Sequence, residues 1–189
     1  MRLFVALVPP TAVLGDLDTT VAPHRASRPG LRWTGPPDWH VTLAFLGEVT
    51  NPVAERLAPR LERAADRHSP LPLAFAGAGA FPVPAQARVL WCGLAGDRQA
   101  LAALAASVAT AARRAGAPPP DGDRPFRPHL TLARGRPQAD VRALVTALNP
   151  YQGPWWRADQ VQLIESHPGG RPRYTTAGRW PLGGDSLGP

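Results

Sequence analysis

Trp39-His40-Val41-Thr42-Leu43-Ala44-Phe45 and, about half a chain later, Pro128-His129-Leu130-Thr131-Leu132-Ala133-Arg134 are two copies of one pattern, matching at His, Thr, Leu and Ala. Both copies lie in segments that read as strands: His40–Gly47, where alternation ends at a glycine, and Phe126–Arg134. Side chains on a strand alternate faces. His40 and Thr42 therefore share one face and Val41 and Leu43 the other, and His129 and Thr131 stand in the same relation to Leu130 and Leu132. Each strand buries an aliphatic face and presents an imidazole with a hydroxyl. If a pseudo-two-fold axis relates two lobes, the polar faces meet across a cleft. The expected fold is α+β and two-lobed, each lobe an antiparallel sheet with helices on its outer face and the active-site cleft between them.

Outward from the motifs, the chain supplies the remaining elements. Residues 2–8 form a short apolar run stopped by Pro9-Pro10, the expected first strand. Val13, Leu14, Leu17 and Val21 fall at helical spacing within residues 10–24. Asn51-Pro52 pairs a capping side chain with proline at the first helical position, opening a helix to about Arg67 that Pro59 is expected to kink or split. Residues 71–76 and 87–94 read as strands joined by the Gly/Pro-rich segment 77–86. Asp97 caps an Ala/Leu helix that ends near Arg114 and Gly116. A shorter helix is expected at Ala139–Leu148, then strands near Val161–Glu165 and Arg173–Trp180. Residues 1–182 make one domain with intertwined lobes, and 183–189 are expected to be a flexible tail.

Composition narrows the function. The 189 residues are 44% apolar and 19% charged, long enough for a substantial core. The 24 prolines and 18 glycines are spread between patterned segments without a period, which indicates many loops. Net charge is +7, and all 21 basic residues are arginine. A coding bias toward Arg, Ala, Gly and Pro accounts for arginine over lysine. It does not account for the positive excess, which suits a phosphate-bearing ligand. The single cysteine, Cys92, sits in an apolar run as a buried strand residue, with no internal disulfide possible. A reducing cytoplasm fits. The apolar start breaks at two prolines and meets Asp16 and Asp18, so it reads as a strand, not a leader. No stretch approaches membrane-spanning length, and a monomer is expected.

Two imidazoles and two hydroxyls converging on one space suit phosphate chemistry. An unperturbed histidine titrates near neutrality, so one can take a proton while the other gives one. The threonine hydroxyls can bond the non-bridging oxygens, where charge builds. This scheme needs no metal and no cofactor. A lone histidine on an apolar strand is ordinarily a packed or solvated residue. The repeated His-x-Thr offset favours a functional pair instead. His24, His68 and His167 carry no such pattern and are assigned mainly to solvent.

These residues resemble the two-histidine phosphoesterase superfamily, and within it the RNA 2′,3′-cyclic phosphodiesterase (2′-5′ RNA ligase) family. The similarity includes Arg2-Leu3-Phe4-Val5-Ala6, Arg32-Trp33, the two histidine motifs, Arg173-Tyr174 and Trp180-Pro181-Leu182. The resemblance implies hydrolysis of a terminal 2′,3′-cyclic phosphate on RNA to a 2′-phosphate, with 2′-5′ ligation as the reverse. By analogy His40 is the general acid and His129 the general base, with Thr42 and Thr131 on the phosphate. Phe4, Trp33 and Tyr174 are candidates for stacking a nucleobase, and Phe4 has an equally good reading as core. Arg32, Arg127 and Arg134 are substrate-binding candidates, and Arg28, Arg32 and Arg124 could contact the backbone. Strict alternation sets Arg134 on the face opposite His129 unless a bulge intervenes. The partner is an RNA with a 2′,3′-cyclic phosphate end or a small cyclic nucleotide. The alternatives are a phosphodiesterase for a small nucleotide or ADP-ribose cyclic phosphate, and a non-catalytic RNA-end binding module. A metal site on His40 and His129 ranks low, because no carboxylate or cysteine accompanies either at ligand spacing.

Overall fold

A computed structural model describes residues 1–122 and 124–183. Most of the expected tail, 184–189, lies outside the described residues. Gly183 lies inside them, and its N–H donates to the Ala65 carbonyl at 3.2 Å.

The chain runs β1 (Arg2–Leu7), α1 (Thr11–Ser27), β2 (Arg32–Trp33), β3 (Val41–Glu48), α2 (Asn51–Asp66), β4 (Leu71–Phe81), β5 (Ala87–Gly96), α3 (Arg98–Ala115), β6 (Leu130–Ala139), α4 (Arg142–Leu148), β7 (Trp156–Ala158), β8 (Gln160–Ser166) and β9 (Tyr174–Pro181). The strands form two antiparallel sheets, ordered β3-β1-β8-β9 and β2-β6-β5-β4-β7. The architecture is the expected two-lobed α+β fold. Among the described residues no helix is long and apolar enough to cross a membrane.

Helix packing crosses between the sheets. α2 and α3 pack on each other, α2 lying against β9 and α3 against β3 of the first sheet. Yet α3 joins β5 to β6 in the second sheet. α4 lies against β4 and touches α1. Along β1, Leu3, Val5 and Leu7 enter the main core, while Phe4 and Ala6 form a small cluster with Ile164 on the opposite face. That second face carries the site.

Several expectations shift. The cap of α2 is Thr50, one residue before Asn51, and no side chain caps it. Pro59 removes a backbone donor, yet α2 runs through it, because its buried face (Leu57, Leu61, Ala64, Ala65) stays registered against the core. α1 likewise passes Pro23 to end at Ser27. β4 continues through the Gly/Ala segment to Phe81, and β6 begins only at Leu130 and extends to Ala139. Pro125 and Pro128 lack the N–H a ladder needs, which keeps 126–129 out of the strand. The three-residue β7 is too short to show a period. Cys92 is buried as expected, and burial pushes its thiol up to about 12, an unreactive state at neutral pH.

Candidate active site

His40 and His129 each stand one residue before a strand, β3 and β6, and the strands then behave alike. Val41-Thr42-Leu43-Ala44 and Leu130-Thr131-Leu132-Ala133 are buried, half-buried, buried, buried in turn. The consecutive buried pair marks a bulge. Val5 pairs with Ala44 and Ala6 with Thr42, skipping Leu43; Leu90 pairs with Ala133 and Trp91 with Thr131, skipping Leu132. Each bulge resets alternation, so the next residues, Phe45 and Arg134, return toward the threonine's face. The duplication is therefore of backbone as well as of side chains. The bulge removes the alternation argument against Arg134.

Each imidazole is anchored on the backbone two residues upstream. His129 Nδ1 lies 2.7 Å from the Arg127 carbonyl, and His40 bonds the backbone of Asp38. A carbonyl only accepts, so Nδ1 of His129 carries the proton and its Nε2 lone pair is free. Each ring is also walled by aromatics. The His40 ring lies 4.6 Å from Phe4 and 5.3 Å, edge-on, from Tyr174. His129 meets Phe81 edge-on at 5.0 Å and Trp91 at 6.5 Å.

Thr42 of the first motif and His129 of the second line one space, while His40 and Thr131 are not among its lining residues. A cavity of about 720 Å³ is lined by Thr42 and Phe45 of β3, His129, Phe81 and Arg127, with the alanine face of α3 as its far wall. Burial pushes His40 down to about 4, helped by the charges of His129, Arg134 and Arg173. Burial, with Arg134, also lowers His129. Both imidazoles are thus neutral at neutral pH in the free protein. Arg134 lies within electrostatic reach of both histidines, and its own proton affinity is lowered by desolvation and by Arg173, Arg136 and Arg32. Arg32 is its cross-strand partner in β2. Like charges placed opposite cost stability, a cost that an anion between them would offset.

Other expected site residues divide. Phe4 is 2% exposed beneath His40 and cannot stack a nucleobase; it supports the imidazole. Trp33 donates its indole N–H to the Arg28 carbonyl at 2.8 Å and rests on the main core, so it braces its loop. Tyr174 is half-buried against His40 and Phe4, with Arg173 5.4 Å from its ring. Arg127 is exposed, its guanidinium 5.9 Å from the Phe81 ring. Arg28 is committed to the Asp140 carbonyl, and Arg124 lies 3.8 Å from Asp121. His68 and His167 bond the hydroxyls of Ser107 and Thr175, each at 2.8 Å. Sequence reasoning missed Phe81 and Trp91, the first hidden in a Gly/Pro-rich stretch and the second in an apolar run. It also missed Arg173, which reaches Asp38 at 3.8 Å.

Comparison with known proteins places these features in a wider set. Residues 17–170 match the model of the 2′-5′ RNA ligase superfamily. The chain is 30% identical over 133 residues to the RNA 2′,3′-cyclic phosphodiesterase of Aquifex aeolicus, covering 70% of each. It is 30% identical over 185 residues to the Escherichia coli protein of the same name, covering 96% of each. Among solved structures, a phosphoesterase superposes with a TM-score of 0.76 at 29% identity, covering 97% of this chain and 98% of the other. E. coli LigT complexed with 3′-AMP superposes with a TM-score of 0.73 at 28% identity, covering 96% and 97%.

Proposed function

The chain belongs to the 2′-5′ RNA ligase superfamily, and from that premise we propose that it is an RNA 2′,3′-cyclic phosphodiesterase, hydrolysing the terminal cyclic phosphate to a 2′-phosphate. The observation that carries this is a single cavity lined by Thr42 of one motif and His129 of the other. Named relatives over nearly the whole chain support it. In the proposed reaction, His129 Nε2 takes a proton from water as the water oxygen bonds to phosphorus. The bond from phosphorus to O3′ breaks, and His40 gives its proton to O3′. Thr42 and Thr131 donate to the non-bridging oxygens as their charge rises.

Electrostatics supports the order of events. The free site disfavours protons because burial and arginines penalise imidazolium. A bound cyclic phosphate brings one negative charge beside both rings and reverses that penalty. His40 therefore acquires its proton together with the substrate. Arg134, with Arg32, Arg136 and Arg173, supplies the attraction.

The test is product analysis on an RNA oligonucleotide ending in a 2′,3′-cyclic phosphate, with EDTA present. The expected product is a 2′-phosphate end. His40→Ala and His129→Ala are each expected to lower turnover by about 10²–10⁴-fold with unchanged far-UV spectra. A 3′-phosphate product, or near-normal turnover in either variant, would refute the reading.

A further inference from the structure

A second cavity, of about 430 Å³, opens beside the first and is lined by Gly77, Phe81, Trp91, Arg98, Arg127 and Asn149 among others. The two cavities have Phe81, Phe126 and Arg127 in common. The smaller one therefore begins where the wall behind His129 ends. Its size is that of a small-ligand site, and the hydrolytic scheme uses neither Arg98, Trp91 nor Asn149.

Two kinds of wall meet here. Phe81 and Trp91, with ring centroids 5.4 Å apart and planes at 39°, form an aromatic side. Arg98 and Arg127 supply two guanidiniums, and among the described residues no carboxylate lines the space. Arg98 is exposed and is the first residue of α3. A cation at a helix N-terminus opposes the helix dipole, so helix stability does not explain it. The backbone also opens: the β4–β5 register shifts between Phe75 and Ala78. Within that shift Gly77 takes a φ of +72°, and a Cβ on facing Gly93 would stand 2.8 Å from the Ala76 carbonyl. Bulges of this kind re-aim a strand beside a site.

We propose that this cavity is a subsite for the nucleotide preceding the terminal cyclic phosphate, its phosphodiester held by Arg98 and Arg127 and its base against Phe81 and Trp91. The inference rests on the reading of RNA as substrate. Aromatic faces and cations accept any base, so the subsite selects for chain length and not for sequence. It separates an RNA enzyme from one built for cyclic mononucleotides.

The experiment compares kcat/KM for a 2′,3′-cyclic mononucleotide and for a dinucleotide with the same cyclic-phosphate end, in wild type and Arg98→Ala. Wild type is expected to favour the dinucleotide by about tenfold or more, the worth of one charge-assisted hydrogen bond. Arg98→Ala should lower the ratio by about tenfold, the loss of that one bond, and Arg98→Lys should restore part of it. A wild-type ratio near one, or an unchanged ratio in Arg98→Ala, overturns the subsite and leaves the phosphodiesterase reading standing. No wild-type turnover of either substrate overturns both. Thermal midpoints of the variants verify folding.

Discussion

His40 combines burial with a titratable ring, and the combination has a cost that depends on pH. Its proton affinity falls from an ordinary 6.5 to about 4 as its ring is enclosed by Phe4 and Tyr174. Between those values the unfolded chain binds a proton that the folded chain refuses. Stability therefore rises with pH through that window and is lost on acidification, reaching about 3 kcal/mol on this residue's account below pH 4. His129 is shifted the same way and adds to the effect. The expected outcome is that His40→Gln removes part of the loss of urea stability between pH 7 and pH 4.5. If wild type and variant lose equal stability over that interval, the imidazole is not desolvated as described. At this scale the candidate site was legible as a pattern, since the repeated His-x-Thr spacing alone selects four side chains. What surrounds them was not legible. Phe4 lies under one ring and Phe81 and Trp91 flank the other, and nothing in their local sequence distinguishes these aromatics from ordinary core.

At the scale of elements, the strand assignments for β3 and β6 followed from alternation, and alternation was also where they failed. Leu43 and Leu132 are skipped in the ladders, and the consecutive Leu-Ala pair that forms each bulge ends in an alanine, which is small enough to read as belonging to either face of a strand. β4 was cut short for a related reason. Gly77 and Gly79 look like loop residues, yet Gly79 pairs with Trp91 across the ladder. A Cβ on Gly79 would fall inside the Trp91 indole. The glycine is there to let the indole lie flat over the strand and reach His129. Phe81 and His129 flank that ring with centroids at 5.4 and 6.5 Å, so a displaced indole changes the wall against His129. Gly79→Ala is accordingly expected to destabilise the fold by about 1–3 kcal/mol through overpacking and to reduce turnover by displacing the His129 wall. The urea midpoint and kcat measure the two effects. A variant with wild-type values for both would mean that Trp91 has room to relax, and that it does not help place His129.

For the whole molecule, the two-lobed plan follows from the duplicated motif, but the way the lobes are tied together does not. Which sheet a helix covers is decided by long-range packing, and helical periodicity shows only that one face is apolar. α3 connects neighbouring strands of the second sheet and lies against β3 of the first, packed on α2. α2 leaves β3, delivers the chain to β4 in the other sheet, and lies against β9. The chain then returns to the first sheet for β8 and β9, after β7 has closed the edge of the second. Neither sheet can shed its helices without breaking the connection that builds the other, and Leu3, Leu57, Leu90, Leu104 and Leu130 belong to one continuous buried cluster. Residues 1–182 should then unfold as one cooperative unit. Urea unfolding followed by far-UV circular dichroism and by tryptophan fluorescence is expected to give superimposable single transitions. The probes are well placed for this comparison, with Trp33 and Trp91 in the second sheet and Trp180 in the first. Two separated transitions would show that the lobes fold independently, and that the crossing of α2 and α3 between them carries little of the stability.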